Sequence, residues 1–316
     1  MGMMKKALSI FVVFFIAITP CMAKDENKLL FYCDVYEGYD NNVNLDSSRK
    51  GGQFSELDME LAYRRAFTKN VNGIIDYYLG TVTYHEQTDA SFYDNNVSAA
   101  AALDLFDKRA ALSFNNAFEY NYYPHEDAST YASYSPQLLF RHNISKTIYH
   151  RLGYDFEIRR YPERKAEDGS RAKKAAARQD IRNGLAYELA GLGIKDIFLK
   201  IKNRYYVNDS NDQYMDYYDY WAVRLDISTV VPLFRDRLFA LIGAGYQRTD
   251  YKTRHLVSDT GRRQKDNLYN ISSSLLFDIT KRLSASLNYS YRQNESNEPS
   301  EEYSGSIYSA GFHYAF

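Results

Sequence analysis

Cysteine is almost missing from this chain, which has two, Cys21 and Cys33, in 316 residues. Cys21 falls within an N-terminal leader, so the remainder keeps a single thiol and no intramolecular disulfide can hold the fold. Proline (six) and tryptophan (one) are scarce as well. Beyond the leader no run stays apolar for the roughly 18 residues that a bilayer-crossing helix needs, and the mean hydropathy is negative. Helical membrane spans are thereby excluded. Charge of one sign is also lacking: 39 basic residues face 40 acidic ones for a net charge of −1, which gives no electrostatic footprint for nucleic acid. Neither a cofactor nor a metal is expected.

The leader itself spans residues 1–23. Lys5 and Lys6 supply its positive start, the stretch from Ala7 to Ile18 its apolar centre, and Cys21-Met22-Ala23 ends on the small residue that signal peptidase prefers. Pro20 interrupts the apolar stretch, which is too short to span a membrane. Lipid attachment at Cys21 is a minor alternative, because Ile18-Thr19-Pro20 matches a lipobox poorly. The expected organisation is a signal peptide, 1–23, followed by one domain, 24–316.

Aromatics are what the chain has in excess, with 31 Tyr and 18 Phe, a strand-forming composition. Period-two alternation recurs in fourteen segments: 30–42, 55–67, 71–86, 98–109, 111–123, 131–144, 146–161, 177–190, 194–207, 217–230, 237–251, 265–278, 282–293 and 303–316. Their connections alternate between long, polar ones (43–54, 87–97, 124–130, 162–176, 208–216, 252–264, 294–302) and short ones near 68–70, 110, 145, 191–193, 231–236 and 279–281. A soluble β-sandwich does not require such alternation or strands of this length. The pattern predicts an all-β fold, a transmembrane antiparallel up-and-down β-barrel of about 14 strands, with short periplasmic turns and long extracellular loops.

The chain ends Tyr308-Ser309-Ala310-Gly311-Phe312-His313-Tyr314-Ala315-Phe316, with Phe312, Tyr314 and Phe316 at alternate positions. This ending resembles the signature by which Gram-negative outer-membrane barrels are recognised by their assembly machinery. The segments 38–43 and 289–297 look like the edges of β-barrel porins and of barrels attached to exopolysaccharide-export proteins. In strand count and size the chain is similar to OmpG-like monomeric porins. The resemblance implies a monomer in the outer membrane, in contact with lipid and lipopolysaccharide, and it transfers no functional residue to any position here.

Parity assigns the two faces. In 146–161, Ile148, Leu152, Tyr154, Phe156 and Ile158 face lipid while Arg151, Asp155, Glu157 and Arg159 face inward; 194–207 and 217–230 divide equally well, with Ile197, Leu199 and Ile201 outward, and 237–251 is ambiguous. An Arg or Lys on the lipid face costs about 2–4 kcal/mol at the midplane, so the assignment is strongly constrained. Carried around the ring, parity gives an acidic wall of Asp34, Asp40, Glu56, Asp58, Glu60, Asp76, Asp104 and Glu119 on the first five strands, with Arg64 the one inward base. The next five strands give a basic wall of Arg141, Arg151, Arg159, Arg182, Lys200, Lys202, Arg204 and Arg224, interspersed with acids. So many ionised groups cannot be buried dry, which predicts a water-filled lumen.

The expected function is therefore a channel of the porin kind for passive diffusion of small hydrophilic solutes, including oligosaccharides. The alternative is an outer-membrane barrel serving a polysaccharide or surface-protein export or assembly system. Two loops are basic, 162–176 (Arg164, Lys165, Arg171, Lys173, Lys174) and 252–264 (Lys252, Arg254, His255, Arg262, Arg263); solvation or lipopolysaccharide contact is the simpler reading beside recruitment of anionic solutes. Enzymatic readings have little support. His142, Ser145 and His150 flank a short turn at the wrong end for a phospholipase, and His85, Glu86, His125, Glu126 and Asp127 read as loop residues. No catalytic residue is expected.

Overall fold

The computed structural model describes residues 27–46, 49–168, 172–193, 197–213, 218–234, 237–257, 259 and 261–316. The expected leader, 1–23, lies outside them. Fourteen strands run in chain order: β1 (Asn27–Asp40), β2 (Gly52–Ala66), β3 (Val71–Tyr84), β4 (Phe92–Leu105), β5 (Ala110–Tyr122), β6 (Tyr131–Asn143), β7 (Ile148–Glu167), β8 (Lys173–Leu192), β9 (Phe198–Ser210), β10 (Tyr220–Phe234), β11 (Leu238–His255), β12 (Arg263–Asp278), β13 (Leu283–Ser296) and β14 (Tyr303–Ala315). Each pairs antiparallel with its sequence neighbours, and β1 pairs with β14 from Tyr32↔Ala315 to Asp40↔Ile307. The sheet closes into a barrel, leaving no edge with unpaired backbone groups.

Alternation accounts for closure in one membrane-like medium. Val35, Val97, Phe114, Phe118, Leu138, Leu152, Leu185, Ile227, Ile271, Leu287 and Phe312 are all exposed, and the register puts them on one continuous face. That face belongs to hydrocarbon. Four asparagines on it, which parity alone leaves unexplained, are each capped by a tyrosine hydroxyl from the adjacent strand: Tyr77 to Asn95 (3.0 Å), and Tyr134 to Asn116, Tyr154 to Asn183 and Tyr246 to Asn267 (2.8 Å each). Each donated proton satisfies an amide oxygen that would otherwise cost several kcal/mol in lipid.

Element order agrees with the sequence reading, while boundaries shift where hydropathy stops reporting on backbone pairing. β4 occupies 92–105 instead of 98–109 because Phe106, Asp107 and Lys108 all take left-handed φ values (51°, 53° and 67°) and close the turn. No glycine, proline or asparagine announces that turn, so the sequence reads as continuing strand. Most of the expected loop 162–176 is strand, since the β7–β8 ladder continues through bulges near Tyr161 and Lys165 into polar sequence beyond the apolar band. Likewise β11 runs to His255 and β12 begins at Arg263, shortening the expected 252–264 loop. Ile197 precedes β9 and is not one of its outward residues.

The loops at the long-loop rim are tied to their neighbours. Asn42, fully buried, donates to the carbonyls of Asp46 (2.8 Å) and Ser304 (2.9 Å), fastening the β1–β2 loop against β14. Asp212 accepts from the Glu167 backbone N–H (3.0 Å) and pairs with Arg164 (3.4 Å), joining the β9–β10 loop to the β7–β8 hairpin. Glu298 accepts from the N–H of Val257 (2.7 Å), and Arg254 pairs with Glu301 (2.9 Å).

Candidate functional site: the interior wall

The same register that sends apolar residues outward aligns the ionisable ones on the inner face. On β1 to β5, Asp34 lies opposite Asp58, Tyr36 opposite Glu56, Ala62 opposite Asp76, Asn96 opposite Glu119 and Asp104 opposite Ala111. Glu60, opposite Tyr78, and Asp40, opposite Ile307, share that face. On β1 to β5 two further inward ionisable residues lie outside the segments that hydropathy outlines, Asp94 at the head of β4 and Lys28, which lies opposite Arg64.

Few of these carboxylates meet a base. Asp40 pairs with Arg292 (2.7 Å) and Asp34 with His313, both across the β1–β14 closure or just beyond it. Three others receive neutral donors: Tyr78 to Asp58 (2.6 Å), Ser98 to Asp76 (2.7 Å) and Tyr131 to Glu119 (2.5 Å). A cavity of about 430 Å³ opens along this wall, lined by Glu60, Asp76, Tyr78, Asn96, Ser98, Asn115 and Ala117.

The β6–β10 wall is built differently. Arg151 lies opposite Glu188 and pairs with it (2.7 Å); Glu157 takes both Arg159 (2.7 Å) and Arg182 (3.1 Å); Asp226 takes Arg224 (2.9 Å) and, more loosely, Arg204 (3.8 Å). Arg141, Lys200 and Lys202, which point inward by register opposite Ala111, Ala190 and Glu188, form no ion pair among the described residues. Tyrosines clad the arginines: Arg159 sits 4.2 Å over Tyr131, Arg182 5.0 Å over Tyr206, and Arg178 lies between Tyr161 (4.2 Å) and Tyr218 (3.3 Å) while chelating Asp180 (2.5 and 3.1 Å). Burial pushes the phenol of Tyr218, in the β9–β10 loop, above the ordinary tyrosine range.

Most bases of the two basic loops are occupied. Lys165 and Lys174 donate to backbone carbonyls of Ala175 (3.1 Å) and Asn211 (2.9 Å), and Lys252 pairs with Asp209. Arg171 lies outside the described residues. The ambiguous strand 237–251 is resolved by its partners: Arg248 and Asp250 face outward opposite Val223 and Trp221, pair with each other (2.7 Å) and meet Lys265 (3.5 Å from Asp250) near the long-loop rim.

Among the described residues His85, Glu86, His125, Glu126 and Asp127 form no common cluster; His85 alone of them reaches a hydroxyl. Its Nε2 is 3.0 Å from the Ser55 hydroxyl on the outer face, a pairing that spacing along the chain does not show. That hydroxyl donates its proton to Glu37 (2.7 Å), so His85 does not receive it as a general base must. His142 and His150 do meet, on the outer face at the short-turn rim. At the terminus, Phe312, Tyr314 and Phe316 are exposed on the lipid side, and Phe316 exchanges backbone hydrogen bonds with Phe31 (2.9 and 3.1 Å).

A closed antiparallel barrel with a hydrocarbon-facing exterior and an ion-bearing interior defines a transmembrane β-barrel of the bacterial outer-membrane type. Solved structures agree. A loop L8 deletion mutant of OmpT, an outer membrane protein of Vibrio cholerae, superposes with a TM-score of 0.51 at 8% identity, covering 92% of this chain and 100% of that one. A bacterial polysaccharide outer membrane secretin gives 0.50 at 9% identity, covering 93% and 99%. At such identities the likeness is one of fold. No protein-family model and no curated protein matches the sequence.

Proposed function

We propose that this barrel is a non-enzymatic outer-membrane porin, a single-chain pore for passive diffusion of small hydrophilic solutes, and that its interior charges line the conducting path. The observation that carries this reading is the set of inward groups that form no ion pair among the described residues, Glu60, Asp76 and Asp104 on one wall and Arg141, Lys200 and Lys202 on the other. Unpaired charges in a dry interior cost more than a fold can supply, and water removes that cost. A hydrated wall of both signs favours polar over apolar permeants, since it replaces part of a polar solute's hydration shell. Residues 1–23 act as the cleaved export signal, and Phe312, Tyr314 and Phe316 as the ending read by the barrel-assembly machinery.

Planar-bilayer recording tests the reading. The purified, folded protein is expected to insert as discrete, equal current steps and to let sugars of graded size swell liposomes up to a cut-off. Folded protein that inserts and never conducts overturns it.

A further inference from the structure

On the outer wall at the short-turn rim, His142 near the end of β6 and His150 near the start of β7 occupy directly opposed register positions. Their ring nitrogens, Nδ1 of His142 and Nε2 of His150, approach to 3.0 Å, with the rings at 82° to one another. At that distance the N–H of one ring donates to the bare nitrogen of the other. The turn between them is fixed independently: Ile144 N–H donates to the Ile148 carbonyl (2.9 Å), and the Ser145 hydroxyl accepts from the N–H groups of Thr147 (3.2 Å) and Ile148 (3.1 Å). Both imidazoles are thus held close on a rigid hairpin end, and His142 is exposed.

The geometry points to a two-point chelate for a divalent transition metal, Cu²⁺ above Ni²⁺ and Zn²⁺, which takes the place of the bridging proton as that proton moves to the far nitrogen of its own ring. With metal–nitrogen bonds of about 2.0–2.1 Å, nitrogens 3.0 Å apart subtend an angle of about 95° at the metal. That is the cis angle of square-planar and octahedral sites, whereas tetrahedral zinc asks for nitrogens about 3.3 Å apart. Imidazole suits all three ions, and copper(II) stands highest in the affinity order for a nitrogen site. No group of three or more His, Cys, Asp or Glu forms around the pair among the described residues, so water completes the coordination and the ion remains exchangeable. The Tyr187 ring, 6.0 Å from that of His150, flanks one side. The site lies on the opposite face of the sheet from the interior wall and is independent of conduction.

The test titrates untagged, chelator-stripped barrel in detergent with CuCl2, NiCl2 and ZnCl2, using calorimetry for affinity and electron paramagnetic resonance for the copper ligands. One Cu²⁺ per chain with coupling to two nitrogens is expected, and tighter binding than for Ni²⁺ or Zn²⁺. His142→Gln and His150→Gln should each weaken Cu²⁺ binding at least about tenfold, the double variant little more than either, and His125→Gln not at all. Heat-dependent gel mobility confirms that each variant is folded. Copper binding unchanged in both single variants, or a spectrum lacking the second nitrogen, overturns the chelate.

Discussion

Replacing Arg292 by leucine exposes how the barrel is locked at its seam. The Asp40 side chain has no solvent exposure and holds three donors: Arg292 Nη2 at 2.7 Å, the Asn42 N–H at 2.9 Å and the Tyr84 hydroxyl at 3.4 Å. Arg292→Leu leaves a buried carboxylate with only the two neutral donors, a loss of about 3–5 kcal/mol for an uncompensated buried charge. Asp40→Asn is milder, about 1–3 kcal/mol, because Arg292 remains 26% exposed and water reaches it. The double variant should recover part of the sum, since neither leaves a partner to strand. Guanidinium unfolding of lipid-reconstituted barrel, followed through the single tryptophan, Trp221, measures all three. If Arg292→Leu unfolds within about 1 kcal/mol of the parent, or the two losses simply add, the pair does not lock the closure.

Inward acids outnumber inward bases, so reversal potentials in a salt gradient should show cation preference; Glu60→Gln with Asp76→Asn should weaken it, and Lys200→Glu with Lys202→Glu should strengthen it. Asn42→Ala removes two donated bonds from a fully buried side chain, at a cost of about 1–3 kcal/mol, and should open the β1–β2 loop to trypsin at Arg49 and Lys50 while conductance persists. A Cβ at Gly311 would stand 2.2 Å from the backbone oxygen of Val35, so Gly311→Val should prevent β1–β14 closure and abolish heat-dependent gel mobility. Tyr218, neutral in the fold beyond its ordinary range through burial, stabilises the β9–β10 loop fully below about pH 10 and loses that contribution as pH rises further; loop proteolysis should rise there in the parent and be unaffected by pH in Tyr218→Phe.

Strand number, order and facing are legible in the sequence because hydrocarbon punishes a single misplaced charge, so residues such as Arg151 and Leu152 report their own direction. Where that penalty ends, so does the signal. The tops of β7, β8 and β11 continue as paired strands in water, where polar and apolar side chains are both tolerated. The turn at 106–109 takes three left-handed residues that no sequence habit marks. Arg248 and Asp250 gave no clear parity because they neutralise each other on the outer face near the rim. The inward identity of both walls follows from alternation, whereas which charges are matched depends on cross-strand register, and a one-residue slip would exchange partners throughout.

Ion pairing makes the two walls unlike in kind as well as in sign, although like charges also meet on the basic one, Arg141 with Arg151 and Arg204 with Arg224. On β7 and β8 opposite charges face one another directly, Arg151 with Glu188, Glu157 with Arg182, Arg159 with Asp180, as stabilising cross-strand pairs do. On β1 and β2 like charges do so, Asp34 with Asp58, an arrangement that weakens a sheet. A barrel shaped by stability alone would place bases at such positions, and His313 beside Asp34 is the nearest approach to one. The arginine side is therefore largely a self-neutralising ladder in which, among the described residues, Arg141, Lys200 and Lys202 form no ion pair, while on the acidic side only Asp40 and Asp34 find a base. In the proposed pore a permeating cation would meet unmatched carboxylates at Glu60, Asp76 and Asp104 on one wall, and an anion would meet Arg141, Lys200 and Lys202 on the other. The cation preference expected of the proposed pore comes from that difference in compensation, more than from the number of charges on either side.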